Sequence, residues 1–170
     1  MKKIILVLSA FICKMAMSQS VAYIEIKEII SKMPEYQKAN ELIEAQVTEW
    51  EDEVELRFQN VENLYQEYVK NEMIYSEDVK KQKQEEIVQS EKQAKEFREQ
   101  KFGKEGELKK LKEQKIKPLQ ENIFKAAEKV ALANGYDYVF DKSPESNWIF
   151  VKPEHNLTEK VLLELGIKPE

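Results

Sequence analysis

From residue 34 to residue 134 almost nothing stops a helix. The only prolines in that stretch are Pro34 and Pro118, and the only glycines are Gly103 and Gly106. A sandwich or a nucleotide-binding α/β fold needs many more turns than this. The stretch is too polar for a compact core of its own and too long for one ordinary helix. Charged residues reach 35% of the chain, a composition typical of long helices and coiled coils.

The periodicity predicts two helices folded into a hairpin. Pro34 suits a first helical turn, where its missing N–H is not needed. Apolar residues then recur at Tyr36, Ala39, Ile43, Val47, Trp50, Val54, Phe58, Val61, Tyr65 and Tyr68, in steps of 3 or 4. The pattern frays at Met73-Ile74-Tyr75. Ser76 offers an N-cap, with Glu77 and Asp78 at the positive end of a new helix. The reversal is placed near residues 70–78; a single unbroken helix is the alternative. The second helix is read from about Glu77 to Ala133. Its stripe is weaker, through Val79, Ile87, Ala94, Phe97 and Phe102, and strengthens from Leu108 to Val130. Pro118 should bend it, Gly103 and Gly106 should soften it, and Gly135 should close it.

Charge sorts by arm. Residues 35–78 carry 13 acidic and 3 basic side chains, and residues 79–117 carry 13 basic and 8 acidic. Antiparallel arms of opposite sign attract, although each exposed pair contributes only about 0–1 kcal/mol.

The two ends of the chain supply the strands. Residues 21–30 read as a short strand running into a helical turn. Tyr136–Asp141 reads as a second strand, Lys142–Asn147 as a turn and Trp148–Lys152 as its hairpin partner. Asn156, with Glu159 three residues on, caps a last helix. The expected fold is therefore mainly α with a small β body and a long antiparallel helical hairpin. So small a body implies oligomerisation.

Residues 1–18 have the pattern of a secretory signal peptide: Lys2 and Lys3, an apolar run from Ile4 to Ile12, and small residues Ala16 and Ser18 before a cut. Cys13, the only cysteine, would leave with it. Its loss, with Lys2, Lys3 and Lys14, takes the net charge from −5 to −8. That is no nucleic-acid profile. His155 is the only histidine and reads as a loop residue. There is no phosphate loop and no nucleophile elbow, so no enzyme, cofactor or metal site is expected.

The order of these segments resembles the OmpH/Skp family of periplasmic chaperones. The resemblance is carried by Val21-Ala22-Tyr23-Ile24, Met33-Pro34-Glu35-Tyr36-Gln37-Lys38-Ala39, Pro118-Leu119, Gly135-Tyr136-Asp137-Tyr138-Val139-Phe140-Asp141 and Leu157-Thr158-Glu159-Lys160-Val161. It implies a periplasmic homotrimer with a shared, barrel-like β body formed by residues 19–33 and 119–170. From that body project hairpin tentacles, residues 34–118, around a cavity that holds unfolded outer-membrane proteins without ATP. The body residues would be Ile24, Ile26, Val139, Phe140, Ile149 and Val151. Candidate client contacts are Tyr68, Met73, Ile74, Tyr75, Phe97 and Phe102. The best-known members are basic and this chain is acidic, with mixed charge at the tip, so no lipid or lipopolysaccharide site is carried over. The competing reading is a structural coiled-coil protein of the envelope, a stalk, spacer or secretion-apparatus subunit.

Overall fold

The computed structural model describes residues 19–143, 146 and 148–168. The expected signal segment, residues 1–18, lies outside the described residues, as do Pro144, Glu145 and Asn147 of the expected turn. The elements are β1 (Val21–Ile24), α1 (Ile26–Ser31), α2 (Pro34–Asn71), α3 (Glu77–Phe102), α4 (Glu107–Lys115), α5 (Lys117–Ala133), β2 (Tyr138–Asp141) and α6 (Thr158–Glu164). Two compact units result. One is Pro34–Leu119; the other combines the residues up to Met33 with those from Gln120 onward.

In the helical unit α2 and α3 pack antiparallel. Cross-contacts step along the pair in order: Trp50 with Phe102, Arg57 with Phe97, Asn60 with Ser90, and Tyr68 with Gln84. No unbroken helix passes the tip. The chain turns after Asn71, and Ser76 Oγ accepts from the Val79 N–H to start α3, with Glu77 and Asp78 in its first turn. The unit buries few apolar side chains: Ala39, Ile43, Tyr68 and Ala94. Opposite net charge on the two arms produces little direct pairing. Among the described residues the ion pair joining α2 to α3 is Glu67 with Lys83, at 3.4 Å. Most others run along one helix, as Arg57–Glu53 and Lys80–Glu77 do.

The return path is not the single bent helix read from the sequence. It breaks twice. After Phe102 a tight turn runs from Gly103 to Gly106, closed by the Gly106 N–H on the Gly103 carbonyl at 2.8 Å. A Cβ on Gly106 would lie 2.8–2.9 Å from three backbone atoms, so this turn has no room for a side chain. The second break is at Ile116. Pro118 therefore stands in the first turn of a new helix, where no N–H is required, rather than inside an old one.

In the other unit β1 and β2 form a two-stranded parallel sheet, with Val21 opposite Tyr138 and Ile24 opposite Asp141. The sequence reading gave β2 a hairpin partner at Trp148–Lys152. That segment is irregular here, and Ile149 is fully exposed. β-prone side chains do not make a strand without a neighbour to pair with, and among the described residues this segment pairs with none. Among the described residues the strands are these two, and they form no closed barrel.

The core of this unit lies around β1. Ala22, Tyr23, Ile24 and Ile29 pack with Ile123, Ala126, Ala127, Val130 and Ala131 of α5 and with Leu157, Val161 and Leu162. Its buried polar group, Thr158, is satisfied. It donates to Asn156 Oδ1 at 2.6 Å and accepts from the Glu25 N–H at 2.9 Å. Asn156 also accepts from the Thr158 N–H at 2.9 Å, so it orders the entry to α6 from one residue before the N-cap, Leu157. Gly135, at φ 73°, ends α5 in the left-handed conformation that glycine tolerates best.

Candidate functional site

Two surfaces carry exposed apolar groups, one in each unit. The first is the helical hairpin. At its turn Met73 is 98% exposed and Ile74 80%. Tyr75 is half-buried, its ring 6.4 Å from that of Tyr68. Tyr68 itself is only 7% exposed. Its hydroxyl donates to Glu72 at 3.2 Å and accepts from Gln84 at 2.8 Å. In this chain Tyr68 lies in the seam, where a ring at this step of the stripe meets α3. Tyr65, which spacing assigned to the seam, is exposed instead. The stripe drifts on a straight helix, whose period is 3.6 rather than 3.5.

Phe97 and Phe102 are half-buried at the waist of the hairpin. Phe102 meets Trp50 edge to face at 6.1 Å. The Arg57 guanidinium lies 4.3 Å from the Phe97 ring centre, and Arg98 lies 5.9 Å from that of Phe58. Lys101 reaches the rings of both Trp50 and Phe97, at 5.1 and 5.2 Å, and bonds Glu107 at 2.6 Å across the glycine turn. That bond, ahead of any other cause, holds the Glu107 carboxyl below its ordinary value; burial opposes it. These cations were not singled out from the sequence. Their signal is a basic residue beside or four places after an aromatic one, as in Arg57-Phe58 and Phe97…Lys101, which puts charge along the same edge of the stripe.

The second surface lies in the unit built from the chain ends. An open groove of 460 Å³ runs there, and four of the expected body residues line it: Ile24, Ile26, Val139 and Phe140. Phe124 and Leu132 of α5, eight residues apart on one helical face, complete it and are exposed. Ile149 and Val151 are not among its lining. Ile149 points into solvent and Val151 is half-buried, while the neighbouring Trp148 packs on Phe140 with ring centres 5.5 Å apart. His155 lies in a short turn, where its Nδ1 meets the Tyr136 hydroxyl at 3.0 Å.

The family model described as outer membrane protein (OmpH-like) matches residues 20–165, which takes in both surfaces. The chain belongs to this OmpH-like family. A comparison with curated proteins gives no significant match. OmpH-like proteins are chaperones rather than enzymes. Among the described residues no group of three or more His, Cys, Asp or Glu could hold a metal ion. No described helix is long and apolar enough to cross a membrane.

Proposed function

We propose that this chain is an ATP-independent holdase of the periplasm that keeps unfolded outer-membrane proteins soluble between the helical arms of an oligomer. One observation carries the reading beyond family membership. The hairpin commits more than eighty residues, Pro34–Leu119, to a unit that buries only a handful of apolar side chains. Such an element is nearly all surface. It leaves Leu42, Leu56, Tyr65, Val69, Met73 and Ile74 open to solvent. Scattered apolar groups on a polar, adaptable framework suit weak, many-point contact with a chain that has no fixed shape. The contacts assigned to the client are Met73, Ile74 and Tyr75 at the tip and the open edges of Phe97 and Phe102 at the waist.

The oligomer in this reading is a homotrimer, whose body is closed by Ile24, Ile26, Val139, Phe140, Ile149 and Val151 of neighbouring copies. Export by the segment 1–18 belongs to the same proposal. The test is aggregation of an unfolded β-barrel protein diluted from denaturant, followed by turbidity. The purified chain from residue 19 onward should suppress it. A variant with Met73→Ser and Ile74→Ser should suppress it less while unfolding at the same temperature. Turbidity that rises equally fast with and without the chain would end the holdase reading and leave the structural coiled-coil reading in its place.

A further inference from the structure

The waist of the hairpin carries two clefts, one lined by Trp50 and the other by Phe102. The first has a volume of 410 Å³. Its floor is Trp50, Leu56 and Phe97, and its rim is Glu49, Asp52 and Glu53. The second, 380 Å³, has Val54 and Phe102 beneath Glu51, Glu55 and Glu99. Both are at the lower end of the size range of ligand clefts. Leu56 is 60% exposed, so the first floor is reachable.

The cations already present leave each rim negative. In the first cleft Lys101 is engaged by Glu107. Glu53 is engaged by Arg57, and Glu49 accepts from Gln46. In the second, Arg98 lies over Phe58 and Glu55 accepts from Gln59. The side-chain carboxylates of Glu51, Asp52 and Glu99 have no ion-pair or hydrogen-bond partner among the described residues. Lys101 also shows which kind of group these rings accept, since its ammonium lies 5.1 Å from the Trp50 ring centre and 5.2 Å from that of Phe97.

We infer that the waist clefts bind cationic, apolar-flanked segments of unfolded chains: a Lys or Arg set beside aromatic or branched aliphatic residues. The occupant follows from charge complementarity. An acidic rim over an aromatic floor repels a carboxylate and attracts an ammonium or guanidinium whose alkyl stem can lie on the rings. The inference rests on the holdase reading and narrows it. Apolar contact at the tip is indifferent to sequence, whereas the waist selects by charge.

The test uses two short peptides, one alternating Lys with Val and Phe, the other with Glu at every Lys. Binding is read from Trp50 emission in a Trp148→Phe background, with the chain otherwise whole. The Lys peptide should shift the emission and bind at least about tenfold more tightly than the Glu peptide, with an affinity that falls as salt rises. Glu51→Gln, Asp52→Asn and Glu99→Gln together should weaken it by about two- to fivefold for each carboxylate removed. Glu41→Gln, Glu44→Gln and Glu62→Gln, the same charge change elsewhere on α2 and outside both clefts, should weaken it much less. Equal loss in the two triple variants would reduce the effect to net charge and overturn the site. Equal affinity for the two peptides would overturn the charge selection. A Trp50 shift on concentrating the chain alone would put a second copy in the cleft and overturn the assignment to a client. The turbidity assay separates this inference from its parent. A chain that suppresses aggregation yet ignores the Lys peptide remains a holdase without selective clefts, and one that binds the peptide through Asp52 yet suppresses nothing keeps the clefts and loses the holdase.

Discussion

Glu107 illustrates how one side chain can join two helices across a break. Its carboxylate accepts from Lys101 on the far side of the Gly103–Gly106 turn, and from Gln100 at 3.1 Å. A carboxyl whose folded-state pKa lies below its unfolded value contributes stability above the unfolded value. That contribution is lost as pH falls through the folded value. For Glu107 the ordinary value is 4.5 and the shift is downward, led by the Lys101 hydrogen bond. The contribution is therefore complete at neutral pH, begins to fall as pH drops through 4.5, and is gone once pH lies below the lowered folded-state value. A Glu107→Gln chain should melt below the parent at pH 7, by a small margin because the pair is near solvent, and the two melting curves should converge in acid. Salt at neutral pH should narrow the same gap. A gap that stays constant from pH 7 to pH 3 would mean that the bond to Lys101 carries none of the difference. Lys80, Lys83 and Lys109 are shifted upward, led by hydrogen bonds to Glu77, Glu86 and Glu105 respectively. Their contributions hold below the usual lysine value of 10.5 and fade only above it, so they add no pH dependence near neutrality.

At the scale of elements, the glycine turn is the feature the hairpin can least afford to change. Replacing Gly106 by Ala would drive a Cβ against the carbonyls of Lys101 and Gln100 and the amide of Gly103, none of which can rotate away. Gly106→Ala should therefore destabilise the hairpin by about 1–3 kcal/mol. Gly135→Ala meets no neighbour but keeps a φ of 73°, and should cost about 1–2 kcal/mol through backbone strain alone. Denaturant unfolding read by Trp50 reports the first, and by Trp148 the second; a Gly106→Ala chain as stable as the parent would show that the turn can open at no cost. The sequence made some of this legible. The 3–4 stripe of α2, the Ser76 cap and the glycine end of α5 are local signals, and each is realised locally. The break between α3 and α4 was not legible, because a glycine inside a helix costs only about 1 kcal/mol by propensity. What ends α3 is the tight closure of two glycines three apart, with Lys101 and Glu107 placed to bridge it. Nor could propensity place Trp148–Lys152. Its residues favour a strand, but pairing is a long-range property, and β2 found β1 across more than a hundred residues. Tyr68 is buried and Tyr65 exposed for a similar reason, since steps of 3 and 4 fix a stripe but not which of its edges meets the neighbouring helix.

For the whole molecule, the strands supply the argument. Two paired strands are marginal by themselves. Here they stand beside an open groove lined by Ile24, Ile26, Val139 and Phe140, with the aromatic and aliphatic side chains of Ile149 and Phe150 exposed nearby in sequence. An apolar groove and an unpaired β-prone segment on one chain are complementary needs, and copies of the same chain can meet both. In the proposed homotrimer the segment would pair at the free side of a neighbour's β2, and its side chains would cover the neighbour's groove. Such a contact is head-to-tail, and in the proposed homotrimer it closes after three copies rather than running on as a filament. Light scattering of the chain from residue 19 onward should therefore give three chain masses. Ile149→Asp with Phe150→Asp should abolish the ring, because charge in that segment would have to be buried without a partner. Both side chains are exposed in the single chain, so the substitutions leave the core around β1 untouched, and any loss of mass reports assembly rather than misfolding. A monomer in the parent chain would show that one copy's groove is stable open, and would remove the shared body from the proposal. A dimer would instead favour the envelope spacer, which needs helices in register but no closed ring.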